Sequence, residues 1–154
     1  MRVHLGSDHA GFELKAAISK RLRELGHEPV DHGPASYQPG DDYPPYIIAA
    51  AEGTVGDPGS LGVVIGGSGN GEAISANKVK GVRAVLVWNE ETARLGREHN
   101  NANVVSLGAR EHPVADAVHF AELFLATPFS EDPRHVRRLE MISEYERTGL
   151  VPRS

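Results

Sequence analysis

Residues 61–78 read LGVVIGGSGNGEAISANK, and the residue that could do chemistry is the carboxylate in the middle, Glu72. A β-branched apolar run, Leu61 to Ile65, stops at Gly66, Gly67, Ser68, Gly69, Asn70 and Gly71, and Glu72 opens the stretch that follows. A strand, a glycine-rich loop and a helix start together form a cradle of backbone amides that favours an anion. A fixed negative charge at that spot repels one. Two phosphate readings fail on it. The spacing from Gly66 to Gly71 begins a Walker A loop, but Glu72 and Ala73 stand where Lys and then Ser or Thr are needed. The dinucleotide pattern G-x-G-x-x-G fails because Glu72 takes the place of its last glycine. The reading that fits the charge is an oxyanion formed during reaction and held by the loop amides, with Glu72 as the base that generates it. A helix N-terminus lowers the pKa of a carboxylate, whereas a base at neutral pH works best with a raised one. Desolvation on substrate binding is expected to restore that balance. The competing role for Glu72 is a first-turn acid that offsets the helix dipole, and on residue chemistry alone the two stand level.

Such a loop needs a scaffold, and the apolar pattern supplies one. Five short segments read as strands: Val3 to Gly6, Pro29 to Asp31, Leu61 to Ile65, Val82 to Trp88 and Asn103 to Leu107. Three are continuous Val/Ile/Leu runs, as expected of strands covered on both faces in a parallel sheet. Helical patterns separate them: Phe12 to Leu25 (stopping at Gly26), Tyr46 to Glu52, Ala73 to Lys78, Glu90 to Glu98 and Val114 to Leu125. A last helix over 133–147 places Val136, Leu139, Ile142 and Tyr145 on one face. This alternation predicts one doubly wound α/β domain over 1–148. Its ligands bind beyond the carboxyl ends of the strands, at the switch point. Strands one and three flank that point in the common five-strand order, which is assumed for this chain. Their exits are Ser7-Asp8-His9 and the Gly66–Glu72 loop. One long loop, Gly33 to Tyr46, is of a length that often carries function.

The bulk numbers exclude several classes. A chain of 154 residues with 40% hydrophobic content suits one domain, and no apolar run is long enough to span a bilayer. A net charge of −5 argues against nucleic acid as partner. The absence of cysteine rules out disulfides, thiolate metal sites and a cysteine nucleophile. With no secretory signal pattern at the start, a cytoplasmic location is expected. His27, His32, His112 and His119 lack metal-ligand spacing and read as surface or loop residues. Residues 149–154 resemble part of a protease-cleavage tag and are expected to be a tail outside the fold.

GSDHAGFELK near the start, DDYP in the long loop, GGSGNGE with ANK, REHNNANV and the late RHVRR together resemble the ribose-5-phosphate isomerase B and galactose-6-phosphate isomerase family, over almost the whole chain. The resemblance implies a single-domain, Rossmann-like three-layer sandwich with a five-stranded parallel sheet. It implies interconversion of an aldose and a ketose phosphate, ribose 5-phosphate and ribulose 5-phosphate, through an enediolate, with no metal or organic cofactor. Many members place a cysteine base where this chain has Gly66; a second branch uses a glutamate after the loop, which Glu72 matches. Ser68 and the amides of Gly67, Gly69, Asn70 and Gly71 would hold the enediolate oxygens. Asp8 and His9 would line the substrate site, His99 would open the sugar ring, and Asn100 would contact substrate. On sequence alone, a helix N-cap is the plainer role for Asp8 and a helix C-terminal position for His99. Arg134, Arg137 and Arg138 share a helix face. The resemblance favours Arg110, Arg134 and Arg138 for phosphate, with His135 close by, and leaves Arg137 to solvent. It also implies a homodimer with shared active sites; a tetramer is the other assembly left open. A six-carbon sugar phosphate is the alternative substrate. A sensor that binds sugar phosphate without turnover is the alternative class, and it would have no use for Glu72 or His99.

Overall fold

The computed structural model describes Met1–Ser154. Five parallel strands form one sheet: β1 (Arg2–Ser7), β2 (Glu28–Asp31), β3 (Leu61–Gly66), β4 (Ala84–Leu86) and β5 (Val104–Gly108). Their spatial order is β2-β1-β3-β5-β4. The six α-helices are α1 (Phe12–Glu24), α2 (Pro44–Val55), α3 (Asn70–Asn77), α4 (Glu90–Glu98), α5 (Val114–Ala126) and α6 (Pro133–Thr148). The assumed neighbours β1 and β3 do flank the switch point. The last two strands exchange places, however, so β5 rather than β4 lies beside β3. The exchange brings the residues after β5, Arg110 among them, next to the glycine loop.

The continuous apolar runs are explained by two-sided burial. Val63, Ile65, Val105 and Leu107 point to one side, where α1, α4 and α5 pack. Val64 and Val104 point to the other, under α2 and α3. These side chains are fully buried, each contributing about 1.5–3 kcal/mol of burial free energy. Gly6 has no room for a side chain, because a Cβ there would strike the Tyr46 carbonyl, so α2 rides directly on β1.

Three features depart most from the sequence expectation. β4 shrinks to Ala84–Leu86 at the sheet edge. There the Asn77 side chain bonds both the amide (2.8 Å) and the carbonyl (3.0 Å) of Ala84. α3 starts at Asn70 rather than Ala73, taking in Gly71 and Glu72. α6 lies outside both helical layers, and of its residues only His135 is buried. The apolar face expected of that helix is largely left open, with Ile142 and Tyr145 56% and 53% exposed.

The long loop is pinned where it begins. Lys15, fully buried in α1, donates to Asp31 Oδ1 and to the Pro34 carbonyl, both at 2.8 Å. Nearby, His32 is not a free loop residue: its Nε2 lies 2.8 Å from His4 Nδ1, and His4 Nε2 lies 2.8 Å from Asp57 Oδ2. Hydrogen bonds from Arg2 and His4 hold the Asp57 carboxyl down at about 2. An unfolded aspartate titrates near ~3.9. The stability from this carboxylate is therefore complete above that value and lost as pH falls toward 2. Urea midpoints should fall steeply for the wild type across this window and more shallowly for Asp57→Asn.

Candidate active site

The loop between β3 and α3 is latched to the exit of β5. The Gly66 and Gly67 carbonyls accept from the amides of Ala109 (2.8 Å) and Arg110 (3.0 Å). The Gly69 carbonyl accepts from the buried Ser106 hydroxyl at 2.7 Å. Gly69 itself sits at φ +86, and a Cβ there would press into Leu86 and the β5 backbone, so only glycine turns this corner. Glu72 follows within the first turn of α3 and is 3% exposed. Its carboxylate fills the space beside Gly66 that a side chain would need; a Cβ on residue 66 would land on it. A cysteine at 66 and this placement of Glu72 therefore exclude one another.

Burial pushes the Glu72 carboxyl above the ordinary glutamate range, and the Asp8 carboxylate adds to that. The amides of Glu72 and Gly69 pull the other way. The opposition expected from the sequence is real, but it is settled by the folded protein before any substrate arrives.

Asp8 fills the capping role suggested for it. It is buried and caps the short 3-10 turn His9–Gly11, accepting from the Ala10 (3.0 Å) and Gly11 (3.3 Å) amides. It also supplies part of the field on Glu72. His9 is oriented by a residue the sequence did not single out: Asp41 Oδ1 accepts the His9 amide at 2.7 Å and faces its Nδ1 at 2.9 Å. Asp8, His9 and Asp41 put ligand-type atoms within 4.8 Å of one another, and Asp41 Oδ2 is buried without a hydrogen-bond partner. Tyr43 was likewise missed. Its hydroxyl closes over Gly71, where a Cβ would strike it. Arg110 is exposed, with its guanidinium over Gly67: a Cβ there would stand 3.2 Å from Nη1.

The remaining expected residues gather at the other end of the sheet. Glu72, Asp8 and Arg110 follow the carboxyl ends of β3, β1 and β5; His99 and Asn100 precede the start of β5. The strands are parallel, and the length of β3 alone separates the two ends by roughly 20 Å. His99 caps the end of α4, and its ring lies on that of His135, centroids 4.2 Å apart. His135 is buried, with Nδ1 2.9 Å from Ser130 Oγ. It thus lies under His99, not on the exposed face with Arg134 and Arg138. Burial, and then the neighbouring His99, lower its pKa. The carboxyl-end group and the α4–α6 group lie at opposite ends of the sheet, and one chain does not bring them together.

The family model described as Ribose/Galactose Isomerase matches residues 3–142. This chain belongs to that family. Ribose-5-phosphate isomerase B of Mycolicibacterium paratuberculosis is 57% identical over 99% of the chain and 96% of its own length. The enzyme of that name from Mycobacterium tuberculosis is 55% identical over 99% and 94%. The crystal structure of ribose-5-phosphate isomerase B from Mycoplasma genitalium with bound ribulose-5-phosphate superposes with a TM-score of 0.91, at 38% identity, covering 96% of this chain and 97% of that one. The Clostridium thermocellum ribose-5-phosphate isomerase B gives 0.92 at 36% identity, over 97% and 100%.

Within this isomerase fold, the buried Glu72 carries a stability cost. A carboxyl whose folded pKa is raised destabilises the native state when ionised. The penalty is absent below the unfolded value of about 4.3 and grows as pH rises through the folded one. Glu72→Gln should therefore melt at a higher temperature than the wild type at pH 7 to 8, and the advantage should vanish near pH 4 in thermal scans.

Proposed function

We propose that this chain interconverts ribose 5-phosphate and ribulose 5-phosphate, with Glu72 as the proton-transferring base. The observation that carries the reading is the Glu72 carboxylate, desolvated in the space left by Gly66 at the mouth of an amide-lined loop. The open-chain aldose presents C2–H to Glu72. Removal of that proton moves the electron pair into the C1–C2 bond and the C1 carbonyl electrons onto its oxygen. The loop amides and Ser68 receive the resulting enediolate. Ser68 Oγ already accepts the Asn70 amide at 3.2 Å, which leaves the hydroxyl proton free for a substrate oxygen. Return of the proton from Glu72 to C1, with an oxygen-to-oxygen proton shift, yields the ketose. His99 opens the furanose by moving the O1 hydroxyl proton to the ring oxygen. Asp8, His9 and Asn100 hold the sugar hydroxyls. Arg110, Arg134 and Arg138 bind the phosphate, their forks suited to its oxygens; His135 backs His99 at the edge of that cradle.

Two copies are required in this reading. His99 and Glu72 stand at opposite ends of one sheet, so a partner must supply the second half-site. Supporting this, α6 presents Ile142 and Tyr145 outward over a cleft of about 480 Å³ that Leu139, Val82 and Val85 also line. A homodimer is the minimal assembly that covers this face. No helix is long and apolar enough to cross a membrane, and a chain without cysteine fits the cytoplasm.

Turnover of ribose 5-phosphate by the wild type and by Glu72→Gln tests the reading. A loss of about 10²-fold or more, the scale of a missing general base, is expected. Equal rates would move the base elsewhere. Turnover of allose or galactose 6-phosphate in preference to ribose 5-phosphate would reassign the substrate. Binding without turnover of any of them would mark a sensor.

A further inference from the structure

The turn that carries His99 and Asn100 is gripped from two sides by arginines that have no carboxylate of their own. Arg83, just ahead of β4, donates from Nε to the Asn100 and Asn101 carbonyls, both at 3.1 Å, and from Nη2 to the Asn101 carbonyl at 2.9 Å. Arg97, in the last turn of α4, donates from Nη1 to the Asn101 side-chain oxygen at 3.1 Å and to the Ala102 carbonyl at 2.5 Å. Its Nε donates to the Thr127 carbonyl at 3.1 Å. Both guanidiniums therefore converge on Asn101, which holds the left-handed φ of +43 that lets the turn reverse. Neither arginine forms an ion pair, although Arg21, Arg94 and Arg134 do. The nearest acid to Arg83, Glu146, is hydrogen-bonded to the Gly81 amide.

Placing two half-buried cations side by side is unfavourable. Burial lowers the pKa of both, and Arg83 adds to the effect on Arg97. Their counter-charge is the carbonyl-rich, negative end of α4, whose last residues lead straight into His99. The grip also reaches the phosphate side. Arg97 fixes Thr127, and the Ser130 amide on the same connection bonds the Glu98 carbonyl at 3.1 Å, which sets where α6 begins. Arg134 and Arg138 project from that start.

We propose that Arg83 and Arg97 are positioning residues: they clamp the 99–102 turn and the start of α6 into one rigid half-site, so that His99 meets the ring oxygen of a sugar held by the partner's half. This rests on the isomerase reading above. A lysine at either position keeps the charge but loses the fork that spans two or three acceptors. A displacement of about 1 Å in a catalytic group can cost on the order of 10²-fold in rate.

The test uses Arg83→Lys and Arg97→Lys, with Arg83→Ala as a third variant, all checked for fold and assembly by circular dichroism and sedimentation. Two rates are compared. Net conversion of ribose 5-phosphate needs ring opening. Exchange of solvent deuterium into C1 of ribulose 5-phosphate needs only enediolate formation at Glu72, because that ketose is already open. The expected result is net conversion down about 10- to 100-fold with deuterium exchange largely retained, and recovery of the alanine variant when guanidinium ion is added. Proportional loss of both rates, or loss of neither, overturns the proposal. If the wild type neither converts ribose 5-phosphate nor exchanges deuterium, the isomerase reading itself fails, and that outcome is distinct from either.

Discussion

A carboxylate at the start of a helix is normally stabilised by the amides around it, and burial works against that stabilisation. In this protein both forces act on Glu72, and burial dominates. The outcome depends on Gly66. Any larger residue at the end of β3 would occupy the same volume and push the carboxylate toward solvent. The rest of the loop serves that placement. Its carbonyls are tied to β5, its corner is turned by a glycine at positive φ, and Tyr43 closes the other side. The cost is a charge held in a dry place, which the sheet and its two apolar layers must offset.

The topology then decides what one chain can and cannot do. A parallel sheet sends all its carboxyl ends one way, so the exits of β1, β3 and β5 share a mouth. Bringing β5 next to β3 sets Arg110 over that mouth. The same rule places the connection from α4 to β5 at the far end, with His99, Asn100 and α6. A site that needs both groups needs two chains. The exposed apolar stripe of α6 is what a chain that completes itself with a second copy would present.

The central strand and its loop were legible because their signals are local. A β-branched run buried on both faces shows no alternation, and six consecutive loop-forming residues admit few other roles. Where propensity was weak, the boundaries shifted. Asn70 and Gly71 are poor helix formers, so α3 looked shorter than it is. Val82 and Trp88 look like strand residues, yet Val82 packs into the core from a turn and Trp88 is exposed. Asp41 and Tyr43 lie in the DDYP stretch but carried no role of their own, since which loop residue reaches a site depends on folding around it. The separation of the expected residues into two groups was not visible in spacing at all; it follows from strand order and direction. The clamp by Arg83 and Arg97 was equally unreadable, because its acceptors are backbone carbonyls.

The central claim is that Glu72 of one copy works with His99 of another. The most direct measurement mixes two inactive variants, Glu72→Gln and His99→Asn, unfolds and refolds them together, and assays turnover of ribose 5-phosphate. A mixed dimer carries one site with both residues intact and one with neither. Equal mixing should therefore restore roughly a quarter of wild-type activity, as random pairing within a two-fold dimer dictates. If the mixture stays as inactive as its components while mixed dimers form, both residues act within one chain, and the two-copy account is wrong.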